Sequence, residues 1–430
     1  MTPALLAGFV AVGGFGLASL GAWRLATRTG LGLAHPGVAF LVTHGVLFGV
    51  GGLAIAVAEA RAGAAVYTGA AMLAFGLGLA LSAWIAERRP AGGPGAGPTG
   101  SGARVRLGLA VAMAIGAIAL LLPLVARSGL PFLAGDITGA RAEIAGLVIQ
   151  PLRVAAPALA IILVLRAAAG DARRRLLGLA FVAGIAAFEL LLASRYLLAE
   201  LLVAIALAWL IAGRVIRVRT MVALAAVGLV MFGALQLVRT YDQARGQELE
   251  FAVRRTVNRV VLVQPRTLDA LMTVIPAEQP YFAGGTWVRR LAPALGQEPA
   301  PNLGYWIYDR VVAGPQTTAG YAAPGLLGEA WANFGWLGLA IFGALGVAVE
   351  RFGTLLSLRR TMAADVAAAS LIALFVARTH ALGLVGLAIL VVLVAAWRLV
   401  AAPDGGLTRA IATTLRWRSP APGAPPDGPR

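Results

Sequence analysis

The 430-residue chain contains no cysteine and no lysine, only three histidines and only 19 acidic residues. Without cysteine there are no disulfides and no thiolate metal or redox centre. His35, His44 and His380 are too few and too scattered for a zinc site, so no metal and no cofactor is expected. All 36 basic residues are arginine, which codon usage in a GC-rich genome accounts for. Charge is scarce as well, at 13% of residues against 59% hydrophobic, and a mean hydropathy of +0.83 lies beyond the range of soluble domains. Short alternating segments are missing, which excludes a transmembrane β-barrel. No internal repeat is visible, which weighs against a two-fold transporter.

What the chain does have is a succession of apolar runs about twenty residues long, each able to cross roughly 30 Å of hydrocarbon as a helix. The expected fold class is all-α, a polytopic integral membrane protein. Eleven spans are read at 4–22, 38–58, 64–86, 107–126, 149–166, 176–193, 195–213, 220–238, 336–350, 364–378 and 381–398. Residues 1–238 form an N-terminal bundle, 239–335 a long loop, 336–400 the last spans and 401–430 a tail. Pro90 to Gly102 and Ser419 to Arg430 have linker and tail compositions.

Arginine is distributed unevenly between the two sets of connections. One set holds Arg24 and Arg28, then Arg88, Arg89, Arg104 and Arg106, Arg166 with Arg173 to Arg175, Arg214, Arg217 and Arg219, and Arg351, Arg359 and Arg360. The alternate connections hold only Arg61, Arg127, Arg141, Arg195 and Arg378. The positive-inside rule puts the tail in the cytoplasm and the N-terminus and the long loop on the outer, periplasmic face. The first span lacks a basic segment before it and reads as a retained helix. The net charge of +17 is then a topology signal and an attraction to anionic lipid, and nucleic acid is not an expected partner.

Ionisable side chains near the outer ends of spans are candidates for function, because burying them in a membrane is costly. Arg153, Glu189, Arg195, Glu200, Arg378 and His380 fall there. Arginine presents a planar fork that fits phosphate oxygens, and a lipid-linked diphosphate sits at that depth. The competing reading pairs Arg153 with Glu189 or Glu200 merely to neutralise charge, and lets hairpin arginines snorkel to the interface. His44, deep in the second span, reads as a helix–helix hydrogen-bonding residue.

The loop divides in two. From about Leu249 to Ile275, apolar residues recur at helical spacing between Arg254, Arg255, Arg259 and Arg266, with Pro265 as a break. This predicts one or two short amphipathic helices on the membrane surface or capping the bundle. The second part, Tyr281 to Arg310, places Trp287, Tyr305, Trp306 and Tyr308 beside Arg289, Arg290, Asp309 and Arg310. Aromatic faces that stack on sugars and polar groups that bond hydroxyls have this composition, and so do interfacial anchors. Glu298, Asp309 and Glu329 are the available carboxylates. Glu329, where the chain re-enters the membrane, suits a partly desolvated general base or a structural cap.

Three stretches carry a resemblance: Tyr281-Phe282-Ala283-Gly284-Gly285 with Pro293, Pro324 through Gly338, and Gly129 through Asp136 followed by Arg141. With the hairpin Ser194-Arg195, they are similar to the Wzy-type O-antigen and exopolysaccharide repeat-unit polymerases. The segment after Pro293 departs from that pattern in lacking its basic, tryptophan-rich run. The resemblance implies a metal-independent periplasmic glycosyltransferase of a bacterial inner membrane. It would move a growing glycan from undecaprenyl diphosphate to the next polyprenyl-diphosphate-linked oligosaccharide. On that reading Arg153, Arg195 and Arg378 hold the diphosphate, Glu329 or His380 serves as base, and Arg289, Arg290 and Arg310 contact sugar or phosphate. Membrane lipids, a flippase and a chain-length regulator are candidate partners. The alternatives are an O-antigen ligase-like transferase and a lipid-linked sugar flippase or transporter.

Overall fold

A computed structural model of the chain describes residues 3–29, 35–59, 61–87, 172–192, 195–211, 248–289, 292–312 and 322–357, with shorter stretches between 115 and 165 and at 226, 230 and 233. Among the described residues every regular element is helical and none is a strand. Three helical segments, 36–59, 63–85 and 325–354, are both long enough and apolar enough to cross a membrane. The expected spans at 364–378 and 381–398, the linker and the tail lie outside the described residues, and those at 107–126, 149–166 and 220–238 lie largely outside them.

The first expected span is α1 (Pro3–Thr29). The second is not one continuous α-helix. It runs as α2 (Pro36–His44), a wide π-helical turn over Gly45–Val50, and α3 (Gly51–Glu59). A π turn inserts one residue into the helical ladder and widens it locally. Here it bends around Phe15 of α1, whose ring lies against Gly45 and Gly49. α4 (Gly63–Glu87) is the third span. α5 (Ala172–Leu191) and α6 (Arg195–Ile211) are the two helices of the expected hairpin and pack together.

α4 is the centre of the described bundle, with α1 on one side and the last described helix, α12 (Leu339–Ser357), on the other. Lipid tails are as apolar as leucine, so helices in a bilayer gain by close packing, and small residues at the contact allow it. Gly78 is such a place: a Cβ there would run into the Gly343 carbonyl of α12. Tyr67 of α4 donates to Gly335 O at one end, and Ser82 donates to the Glu350 carboxylate at the other. Both pairs span the same fifteen residues (67 to 82, 335 to 350), so the two stretches run parallel over about 22 Å. A common direction is also what the topology expected from the sequence gives these two stretches, its third and ninth spans.

The expected amphipathic pair is present as α7 (Glu248–Val257), a π turn over Asn258–Leu262 and α8 (Val263–Val274). Pro265 sits in the first turn of α8, where a missing backbone N–H costs little. α8 caps the bundle: Leu268, Leu271 and Ile275 are fully buried, and the helix packs on α3 and α4. The two π turns meet, with Gly51 against the Val261 carbonyl. The remaining elements are α9 (Gly285–Val288), a 3-10 turn over Ala292–Leu295, α10 (Leu303–Ile307) with a π turn at Tyr308–Val312, and α11 (Gly325–Phe334). The apolar helical segment begins at Gly325, ahead of the span read at 336–350, and Glu329 lies in its first two turns. Gly335 then interrupts the helix before α12.

Candidate functional site

The site is assembled where the loop meets the start of this apolar segment. An α-helix leaves its last carbonyls without intrahelical partners. At the end of α11 the loop supplies them: Phe282 N donates to Ala332 O and Ala283 N to Asn333 O, both at 3.0 Å. To reach these carbonyls the loop must turn sharply, and Ala283 (φ 48°) and Gly284 (φ 90°) take the left-handed conformations that close the turn from Phe282 to Gly285.

Asn333, buried in α11, fixes the arrangement. Its Oδ1 accepts from Gly284 N at 2.9 Å, and its Nδ2 donates to Thr286 Oγ1 at 2.7 Å and to Glu329 O at 2.8 Å. One amide therefore ties the helix carrying Glu329 to the turn that precedes Trp287 and Arg289. Trp331 adds a second tie from its indole N–H to Ile275 O at 3.1 Å, which docks the end of α8.

Gly335 makes the final bend with φ 55° and ψ −133°, a region open only to glycine. The Tyr281 ring covers it so closely that a Cβ would meet the hydroxyl at 2.5 Å. Around this point Tyr67, Tyr281, Trp331 and Trp336 stand edge to face, with centroids 5.1 to 6.3 Å apart. Tyr281 and Trp336 are exposed on one side of the cluster. Phe282 packs edge-on against Trp306, and Trp287 tilts over Phe334. Glu329 is half-buried at this edge, and the Trp287 indole N–H lies close to its carboxylate without a formed hydrogen bond.

Two ion pairs fasten the cap beside it. Arg266 reaches Glu59 at 2.9 Å, and Arg61 reaches Asp269 at 3.3 Å. Burial raises the Asp269 carboxyl above its ordinary range, and the Arg61 guanidinium opposes that shift.

Asn333 thus ties the backbone at Glu329 to Thr286 in α9, three residues before Arg289, and Trp287 is the side chain of this turn that lies close to the Glu329 carboxylate. Arg310 lies on the rim, 4.6 Å over the Trp306 ring and 4.0 Å from Glu278, so part of its charge is already engaged. Arg195 begins α6, and its side chain lies outside the described residues, as do Arg153, Arg290, Arg378 and His380 entirely. The described side chains therefore do not bring the expected diphosphate-binding arginines together with Glu329. Glu200 is buried in α6. His44 bonds Phe40 O of its own helix at 2.9 Å and stacks between Phe40 and Phe48. Asn333, Tyr67 and Trp331 are the organising residues that reading the sequence did not single out. The available signal was a lone amide in an apolar run, four residues beyond Glu329, which must find partners where water is absent. In comparisons with protein-family models, curated proteins and solved structures, nothing matches this chain.

Proposed function

We propose that this protein is a membrane glycosyltransferase of the polysaccharide-polymerase type, acting on polyprenyl-diphosphate-linked oligosaccharide at the periplasmic end of the bundle. In this reading eleven spans enclose the loop, the exposed aromatic faces of Tyr281 and Trp336 stack on acceptor sugar, and Glu329 takes the proton of the attacking hydroxyl. Arg289 and Arg310 contact sugar or phosphate, and arginines of neighbouring connections, Arg153, Arg195 and Arg378, hold the diphosphate that leaves. The carrying observation is the joining of residues 281–287 to 329–336 through Asn333. It brings a half-buried carboxylate and partly exposed aromatic rings together from segments more than forty positions apart.

The chemistry needs no group beyond these side chains. A carboxylate at the edge of an apolar segment is a competent acceptor for a hydroxyl proton, and general-base assistance is worth about 10²–10⁴ in rate. Arginine stabilises charge building on the departing diphosphate.

The test uses the full-length protein in lipid nanodiscs with a synthetic polyprenyl-diphosphate repeat unit, and sizes the products. A ladder of repeat-unit multimers supports the reading. Transfer only onto a lipid A core acceptor makes the protein a ligase, and movement of the substrate across the bilayer without transfer makes it a flippase. Either of those outcomes overturns it.

A further inference from the structure

The opposite end of the described bundle buries a second polar cluster. Glu350 on α12 is only 3% exposed. Its carboxylate accepts from the Ser82 hydroxyl of α4 and, at 2.7 Å, from Thr354 Oγ1 one turn along α12. Arg351 flanks it, with Nε 3.9 Å from Oε2. His35, fully buried, closes the other side. Its ring rests on Gly353, where a Cβ would come within 2.5 Å of Nε2, and the Glu350 charge acts on it directly.

The tautomer of His35 follows from its hydrogen bond. Nδ1 accepts from Gly37 N at 3.1 Å and so caps the N-terminus of α2, which requires a lone pair on that nitrogen. The proton of the neutral ring is then on Nε2, and Nε2 has no hydrogen-bond partner. A buried N–H without an acceptor, beside a buried carboxylate between membrane helices, is a costly arrangement.

We propose that His35 and Glu350 form a buried proton-binding site that couples protonation to the capping of α2. The incoming proton, delivered by hydronium, forms an N–H bond at Nδ1 and leaves water behind. Nδ1 can then no longer accept from Gly37, so the cap is lost, and the imidazolium charge is balanced by Glu350. Among the described side chains, the charged groups that the contacts place at this cluster are Glu350 and Arg351 of α12, and Ser82 of α4 and Thr354 of α12 are its uncharged polar groups. Burial pushes His35 down to about 4 from the ordinary 6.5, and Glu350 opposes the shift. The folded protein therefore binds this proton less readily than the unfolded chain does. The stability that depends on the neutral ring is complete above pH 6.5 and is lost as pH falls towards 4.

Thermal unfolding of the full-length protein in detergent at pH 8 and pH 5 tests this, with His35→Asn as the informative variant. Asparagine keeps a capping oxygen but does not titrate. The wild type is expected to lose about thirtyfold in its folding constant between the two values, and in His35→Asn most of that pH dependence is expected to be absent. An acid loss of the same size in His35→Asn would overturn the proposal. Should that variant fail to fold, amide exchange in the unaltered protein decides. Residues 36–44 are expected to exchange faster at pH 5 than at pH 8 after correction for intrinsic rates, with residues 263–274 unchanged. Equal protection of 36–44 at both values would also overturn it.

Discussion

The two ends of the bundle bury polar groups in different ways. At the loop end, one amide satisfies two backbone groups and one side chain across two segments, and the aromatic rings beside it are left partly open. At the opposite end, Glu350 and His35 are sealed between helices, and one imidazole N–H stays without a partner. A network whose polar atoms are largely paired while its apolar faces are open is suited to receiving a ligand with apolar and hydroxyl surfaces. A closed cluster in which an imidazole keeps a lone pair on Nδ1 near a carboxylate is suited to a proton and to little else. The difference separates a surface for binding from a point of titration within one fold.

Gly335 gives the sharpest test of the loop end. Gly335→Ala combines a forbidden backbone region with a collision against Tyr281, and is expected to cost about 4 kcal/mol, read as a large fall in unfolding temperature. Asn333→Ala comes next. It leaves the Gly284 N–H, the Thr286 hydroxyl and the Glu329 carbonyl without their partner, at about 2–3 kcal/mol, and proteolysis should then cut between residues 281 and 290. Gly78→Ala probes the packing that both ends share. Pushing α4 off α12 should cost about 2 kcal/mol, and amide exchange should rise along residues 67–82 rather than at one end.

The smallest effect belongs to the Arg61–Asp269 pair. Arg61 is 63% exposed, so Arg61→Ala should change stability by less than about 1 kcal/mol. Its signature lies in pH dependence. Asp269 is already raised by burial, so the folded state holds its proton more readily and stability declines as pH rises through the carboxyl range. Removing Arg61 takes away the opposing charge, and that decline should extend to higher pH in Arg61→Ala.

Much of this architecture is legible in residue order because bilayer physics is simple. Apolar runs of span length became helices at 3–29 and 63–87, and the period of Phe251, Val257, Leu268 and Leu271 marked the amphipathic pair. Pro265, read as a kink or break, lies within the first turn of α8, just past the π turn that divides the pair. The π turn at Gly45–Val50 was not legible, since it depends on Phe15 of another helix. The last described apolar segment begins at Gly325, ahead of the span read at 336–350, with a break at Gly335 between its two helices. Glu329 was legible as an isolated carboxylate at the membrane edge. Its dependence on Asn333 and on the turn at Ala283-Gly284 was not, because those contacts cross nearly fifty positions of sequence.

The most direct measurement is the rate of glycan transfer by Glu329→Gln, followed with a synthetic polyprenyl-diphosphate repeat unit in nanodiscs beside its unfolding temperature. The amide keeps the shape of the side chain and removes its capacity to take a proton. The expected result is a fall of about a hundredfold or more in polymer formation, with an unfolding temperature close to that of the wild type. Polymer formed at the wild-type rate by Glu329→Gln would contradict the account.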